Sequence, residues 1–421
     1  MKRLLKRLRL YYAVMNVGIV IQYNFPAERE VRTRKFAKVL DERGNDVTVY
    51  SRNTTRDPAR GTVKSELDPR TERLEYADVH RFTWFARTRF GHVVTAALPF
   101  NPFWVLWLLL QFYRDDINRL VACELRAGLP TIVAGKLLGV PVVVDIRENY
   151  PAFAGTLPRE NLLGHLAYHP WVVDRLEQLT ARLADGVVVV ADVRARQFAD
   201  KGVDPEKIVR VMNTPFLSES RVRHLLKENS GPARGQVVRL VYLGVIREGR
   251  GLQSIIRALP LFEETGVSVE FHVAGDGPFV PALKRLADEL GVEESVTFEG
   301  YIDSDRVPTF LRSGTIGVIP HELNSHWRNT VPNKLFDYMS AGLPVVATDT
   351  PPVRELVERI GCGAIVPAST SRDEVRDTIV DVARRDTDKV GRRGRQAVRE
   401  EFNWTTQTEP LLELLDDLER R

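Results

Sequence analysis

What most constrains this chain is a rhythm. Short β-branched runs alternate with helical patterns from one end to the other, and the alternation breaks once. Strands are predicted at residues 14–21, 46–50, 79–84, 119–123, 141–145, 186–190 and 208–212. The helical patterns between them cover 29–43, 98–113, 129–138, 171–184 and 193–201. Residues 218–236 then turn polar and include G-P-A-R-G, which reads as a linker. The alternation restarts with strands at 238–243, 267–274, 296–299, 316–319 and 344–348, and helices at 252–262, 279–290, 305–312, 333–341 and 353–358. Parallel neighbours need long crossovers, so this pattern implies mostly parallel sheets with helices on both faces. The expected architecture is α/β, two tandem Rossmann-like domains with a cleft between them. The boundaries are 1–215, a linker 216–237, 238–400, and a helical end at 401–421.

Composition narrows the class of partner. With 421 residues, 43% hydrophobic and 28% charged, the chain can build more than one core. A net charge of +4 is too mild to argue for nucleic acid. Cys123 and Cys362 stand far apart, which fits a reducing cytosol and leaves no cysteine-based zinc cluster. Residues 1–10, M-K-R-L-L-K-R-L-R-L, are basic and leucine-rich, but no cleavage site follows as a signal peptide would need. The stretch 98–113, L-P-F-N-P-F-W-V-L-W-L-L-L-Q-F-Y, falls short of the roughly 20 residues that span a bilayer. Two readings of it stay open. It is a buried helix of the first domain, or it lies in a membrane surface with Trp104 and Trp107 at the headgroup level and the basic tail nearby. The expected location is cytoplasmic, peripheral on the inner face of the membrane through residues 1–10 and 98–113.

Chemistry concentrates in the second half. In T-V-P-N-K-L-F-D-Y-M-S-A-G-L-P-V-V-A-T-D, residues 330–349, a helix over 333–341 follows Pro332 and stops at Gly342. Its first turn carries Asn333, Lys334 and then Asp337, at a terminus whose free N–H groups favour an anion or a sugar diol. After the strand at 238–243 comes G-V-I-R-E-G-R-G, where Gly244 and Gly251 admit close backbone approach and Arg247 and Arg250 can neutralise phosphate. A G-D-G-P turn, Gly275, Asp276 and Gly277 before Pro278, opens the next helix but one. Three such loops at one sheet edge point to a phosphate-bearing ligand, because open α/β sheets bind beyond their strand ends. His321 and Glu322 follow the strand at 316–319 and face the same edge.

The first half gives less. No Gly-x-Gly-x-x-Gly follows its first strand, so a dinucleotide has no fingerprint. In D-I-R-E-N-Y-P, Asp145, Arg147 and Glu148 are candidates for handling a hydroxyl acceptor and its proton. The competing reading is a turn held by an ion pair. His165 and His169 lack an acidic third ligand and read as helix residues.

These motifs resemble a family. F-P-A-E-R-E-V-R, G-V-P-V-V-V-D-I-R-E-N-Y-P, Y-L-G-V-I-R-E-G-R-G-L, V-A-G-D-G-P and P-N-K-L-F-D-Y-M-S-A-G-L-P-V-V-A-T-D together resemble retaining glycosyltransferases of the GT-B fold, in the family four group that builds bacterial surface polysaccharides and glycolipids. The resemblance covers nearly the whole chain. It implies that a nucleotide sugar binds the second domain as co-substrate, that a glycan or lipid-linked acceptor binds the first, and that no metal or cofactor takes part. It matches Arg250 to the family's diphosphate lysine and puts Val245 where an arginine is usual, with Arg247 as its substitute. The family's two glutamates meet Asn329 and Asp337, the latter keeping a carboxylate for ribose hydroxyls. The tail F-N-W-T-T, with Trp404, resembles the helix that crosses back to the first domain. Two rivals share the fold, a nucleotide-sugar epimerase or hydrolase and a non-catalytic nucleotide-sugar binder.

Overall fold

The computed structural model describes residues 14–23, 25, 31–52, 70–82, 101–155, 169–217, 237–303, 305–324, 327–367 and 371–418. The basic segment 1–10, His165 and the linker stretch 218–236 lie outside the described residues. The chain divides into two compact units, Met1–Val211 with Thr408–Arg421, and Met212–Gln407.

The first unit is built on β1 (Asn16–Ile21), α1 (Val31–Glu42), β2 (Asp46–Arg52), β3 (Thr71–Arg73), β4 (Asp78–Phe82), α2 (Pro102–Arg114), β5 (Arg119–Cys123), α3 (Leu125–Leu138), β6 (Val142–Ile146), α4 (Tyr150–Ala154), α5 (Pro170–Leu183), β7 (Gly186–Val189), α6 (Asp192–Asp200) and β8 (Ile208–Arg210). Its strands run β3-β4-β2-β1-β5-β6-β7-β8 and are parallel except for β3 against β4. Consecutive residues of β1, β5, β6 and β7, mostly Val, Ile and other apolar side chains, are buried on both faces, the pattern of a sheet covered by helices. His169 is the N-cap of α5, accepting from the Trp171 amide, rather than a residue inside a helix.

Helix α2 settles which side of the tryptophan-rich stretch faces inward. Asn101 caps it, its side chain accepting from the amides of Phe103 (2.9 Å) and Trp104 (3.4 Å). Trp104 and Trp107 are 0% and 6% exposed and stack on each other at 5.1 Å, with Phe82 and Tyr50 edge-on against them. Each such buried ring contributes about 2–3 kcal/mol. The expectation that these two tryptophans lie at the headgroup level is therefore corrected, because they belong to the core. The outward face of α2 is instead Phe103, Leu106, Leu110 and Tyr113, all exposed. Among the described residues no helix is long and apolar enough to cross a membrane.

The second unit contains β9 (Val238–Leu243), α7 (Leu252–Ala258), β10 (Val269–Ala274), α8 (Val280–Glu289), β11 (Val296–Gly300), α9 (Val307–Arg312), β12 (Ile316–Ile319), α10 (Asn333–Ala341), β13 (Val345–Thr348), α11 (Pro351–Ile360), β14 (Gly363–Val366), α12 (Arg372–Arg384) and α13 (Thr387–Glu400). The strands run β11-β10-β9-β12-β13-β14, all parallel. The final helix, α14 (Trp404–Asp417), starts in the second unit and continues in the first, where the Leu415 carbonyl accepts from Arg119 Nε at 2.9 Å.

Candidate functional site

The order of the second sheet fixes where a ligand can enter. Chain direction across the sheet reverses between β9 and β12, and a crevice opens beyond the carboxyl ends of two strands whose connections leave in opposite directions. These strands are in register only at Ile316–Leu240 and Gly317–Val241. Past that point Tyr338 of α10 spans them: its hydroxyl accepts from the Leu243 amide (3.0 Å) and donates to the Val318 carbonyl (3.3 Å). Gly317 makes room, since a Cβ there would lie 2.4 Å from the Tyr338 ring. Helix α10 is thus tied to the crevice by its own core residue.

The loop after β9 packs backbone on backbone against the loops after β10 and β12. A Cβ on Gly275 would sit 2.0 Å from the Gly244 carbonyl oxygen, and one on Gly251 would sit 1.6 Å from that of Pro320. Both have positive φ, 138° and 73°. These glycines therefore serve the contact between loops as well as any approach by a ligand. Asp276 is exposed and accepts from the Gly277 amide at 2.7 Å. Arg247 is exposed, and its carbonyl holds the Arg250 amide at 3.1 Å.

The crevice gathers bases. Lys334 is only 8% exposed, with Nζ 3.7 Å from the centre of the Tyr242 ring and 3.3 Å from Nε2 of His321. The same Nε2 lies 3.5 Å from Nη1 of Arg250. Arg250 in turn covers the Trp327 ring at 4.7 Å, and His321 packs on that ring at 3.9 Å. Burial, and then the Arg250 charge, push the Lys334 ammonium well below its usual range, while Asp337 one turn on pulls the other way. Burial pushes the Tyr242 hydroxyl up to about 12 against the pull of Arg250. A buried amine facing a ring nitrogen and an aromatic face, rather than a carboxylate, is matched by an incoming anion. Asn333 is exposed in the first turn of α10, and Asn329 and Asp337 are half-buried beside it. The structure therefore brings Arg250, Lys334 and His321 together at one crevice, and leaves Arg247, Asp276 and Asn333 facing solvent.

In the first unit the corresponding reversal lies between β1 and β5. Asp145, at the end of β6, is completely buried, and its two oxygens accept from Nε and Nη2 of Arg32 at 2.8 Å. Arg32 also holds the Val211 carbonyl at 3.0 Å. The expectation that Asp145 handles an acceptor hydroxyl is corrected: the ion-pair reading holds for this residue. Arg147 pairs with Glu124, and Glu148 is exposed. Glu124 opens α3 at φ 75°, a costly conformation for a residue with a side chain, and burial, then Glu124, push the Tyr23 hydroxyl up. Tyr23 and Glu124 thus stand at the reversal of the first sheet.

Sequence reasoning missed Tyr242, Tyr338, Trp327 and Glu124. The two tyrosines sit inside a strand and a helix, where they read as core. Trp327 and Glu124 sit in loops without a spacing motif.

Two family models match the chain, the "Glycosyl transferase 4-like domain" over residues 30–214 and "Glycosyl transferases group 1" over residues 238–385. WcaL of Salmonella typhimurium, provisionally named a colanic acid biosynthesis glycosyltransferase, is 24% identical over 56% of this chain and 58% of its own. The alpha-D-kanosaminyltransferase of Streptomyces kanamyceticus is 25% identical over 62% of this chain and 68% of its own. The matches thus span little more than half to two thirds of these curated relatives. Among solved structures, HepE of Anabaena in complex with UDP superposes with a TM-score of 0.66 at 16% identity, covering 96% of this chain and 100% of that one.

Proposed function

The chain belongs to the glycosyltransferases that join a 4-like N-terminal domain to a group 1 C-terminal domain, and from that premise we propose that it transfers a sugar from a nucleotide-sugar donor to a hydroxyl of a glycan or lipid-linked acceptor. Its two α/β units have the GT-B fold. The observation that carries the proposal is the base cluster Arg250–His321–Lys334 gathered at the β9/β12 crevice, with His321 and Lys334 buried and Arg250 half-buried.

Breaking the sugar–diphosphate bond sends its electron pair onto a phosphate oxygen. Arg250, Lys334 and the N–H groups of the first turn of α10 stabilise that charge. The sugar passes through an oxocarbenium-like state, and the acceptor attacks on the same face, which retains the anomeric configuration. The departing phosphate takes the acceptor's proton. Side-chain cations do the work a metal would do elsewhere. Asp337 holds ribose hydroxyls, Asn329 contacts the donor sugar, and Arg247, Asn333 and the Gly244, Gly251, Gly275–Gly277 backbone complete the donor site. On the acceptor side Glu148, with Arg147 held by Glu124, receives the hydroxyl.

The acceptor proposal includes a membrane surface on the cytoplasmic side, supported by the exposed apolar face of α2. Transfer is tested by incubating the protein with nucleotide sugars, with and without lipid and glycan extracts. Product formed only with acceptor supports the assignment. Rapid release of free nucleotide or epimerised donor without acceptor identifies a hydrolase or epimerase instead, and binding without turnover identifies a non-catalytic binder.

A further inference from the structure

The base cluster has one member whose charge is not settled by its surroundings. Lys334 is packed from four sides. Tyr242 of β9 gives it a ring face at 3.7 Å, and the loop after β12 gives it His321 Nε2 at 3.3 Å. The loop after β9 contributes Arg250, which shares that Nε2, and the Gly244 backbone. Its own helix contributes Asp337 and the buried Tyr338 hydroxyl. One full cation, Arg250, and one carboxylate, Asp337, therefore act on it at once. A buried ammonium so placed loses hydration without gaining an ion pair, whereas a neutral amine needs only the single hydrogen bond that His321 offers.

We propose that Lys334 is a neutral amine in the empty crevice and that a nucleoside diphosphate enters together with one proton, which comes to rest on Lys334 Nζ. The proposal rests on the donor-site reading and adds its charge balance. The fully ionised diphosphate carries more negative charge than Arg250 alone offsets, and the proton comes from solvent. No covalent bond changes. Burial and Arg250 already displace the empty-site amine downward, and the diphosphate reverses that displacement. Linkage then fixes the sign: affinity for the diphosphate falls as pH rises, by up to about tenfold per pH unit between the empty and occupied titration ranges of Lys334. A permanent cation in place of Lys334 would bind without this dependence, but it would leave an unmatched buried charge in the empty protein.

The test is calorimetric titration of the full chain with UDP and with GDP between about pH 7.5 and 9.5, above the titration of the terminal phosphate and of an ordinary histidine. Each titration is run in two buffers of different ionisation enthalpy. The proposal expects a buffer-dependent enthalpy corresponding to uptake of up to one proton. Lys334→Arg is expected to bind without uptake, and Lys334→Met to bind more weakly and also without uptake, so a folding failure of one leaves the other as a check. His321→Asn is expected to retain the uptake. Binding with no buffer dependence overturns the inference and leaves the donor reading standing. Uptake that survives in both Lys334 variants, or disappears in His321→Asn alone, places the proton elsewhere and overturns it as well. Failure of both nucleotides to bind overturns the donor reading and this inference together.

Discussion

The Arg32–Asp145 pair gives the sharpest separation between a structural and a catalytic carboxylate. Both side chains are buried, 4% and 0% exposed, and joined by two hydrogen bonds of 2.8 Å. Arg32→Met leaves the Asp145 carboxylate buried without its cation, which costs about 3–5 kcal/mol. Asp145→Asn keeps one acceptor oxygen for Arg32 and loses the charge, so its expected cost is smaller, about 2–3 kcal/mol. The double replacement Arg32→Met with Asp145→Leu removes both charges and keeps the volume. It should recover most of the loss, because a buried pair replaced by apolar groups is often near neutral. Stability of a domain is commonly about 5–15 kcal/mol, so the single variants should be visibly weakened yet foldable. Two units make a single unfolding transition unsafe, and hydrogen exchange across β1, β5 and β6 reads the first unit by itself. Donor affinity should be unchanged in all three. Two results would overturn a purely structural role for Asp145. One is an Arg32→Met cost below about 1 kcal/mol, the usual worth of an exposed pair. The other is an Asp145→Asn protein of native stability that has lost transfer.

Other expectations follow from single contacts. Tyr338→Phe strips a partner from the Leu243 amide and the Val318 carbonyl, and should cost about 1–3 kcal/mol in urea denaturation of the second unit. Lys334 has its folded titration range below its unfolded one, so its penalty is absent above the unfolded value and develops as pH falls toward the folded one. Lys334→Met should therefore raise the Tm of the empty protein at neutral pH while weakening diphosphate binding; a lower Tm would show that the amine stabilises the empty site. Phe103→Ser with Leu106→Ser, on the exposed face of α2, should change stability by less than about 0.5 kcal/mol each and reduce flotation with anionic liposomes. A wild-type protein that stays behind with the soluble fraction refutes the membrane contact.

The sequence was most legible where period and punctuation agree. Helix α10 and strands β5, β9 and β12 fall on the residues their patterns mark, with Pro332 and Gly342 bracketing the helix. It was least legible from β14 to α13. Helix α13 packs on α10 through Gly391, whose Cβ would lie 1.9 Å from the Gly342 carbonyl oxygen, and through Gly394 against Met339. A contact face made of glycine leaves no apolar stripe to read. Helix α2 is apolar nearly all round, so its period could not say that Trp104 faces in and Phe103 out. Asp145 looked like chemistry because its partner Arg32 lies 113 residues away. The basic crevice was half visible: Arg250 and Lys334 could be picked out by motif, whereas Tyr242, which packs on Lys334, and Tyr338, which ties α10 to β9 and β12, look like ordinary core.

The donor site depends on the β9/β12 crevice binding the diphosphate of a nucleotide sugar through Arg250 and Lys334. A thermal-shift screen of the wild-type chain and Arg250→Ala against a panel of UDP-, GDP-, ADP- and dTDP-sugars addresses it most directly, since a ligand raises apparent stability by mass action. At least one nucleotide class is expected to raise the wild-type Tm with increasing concentration, and Arg250→Ala, folded as well as wild type, to lose most of the shift. An equal shift in both proteins, or none with any nucleotide, would contradict it.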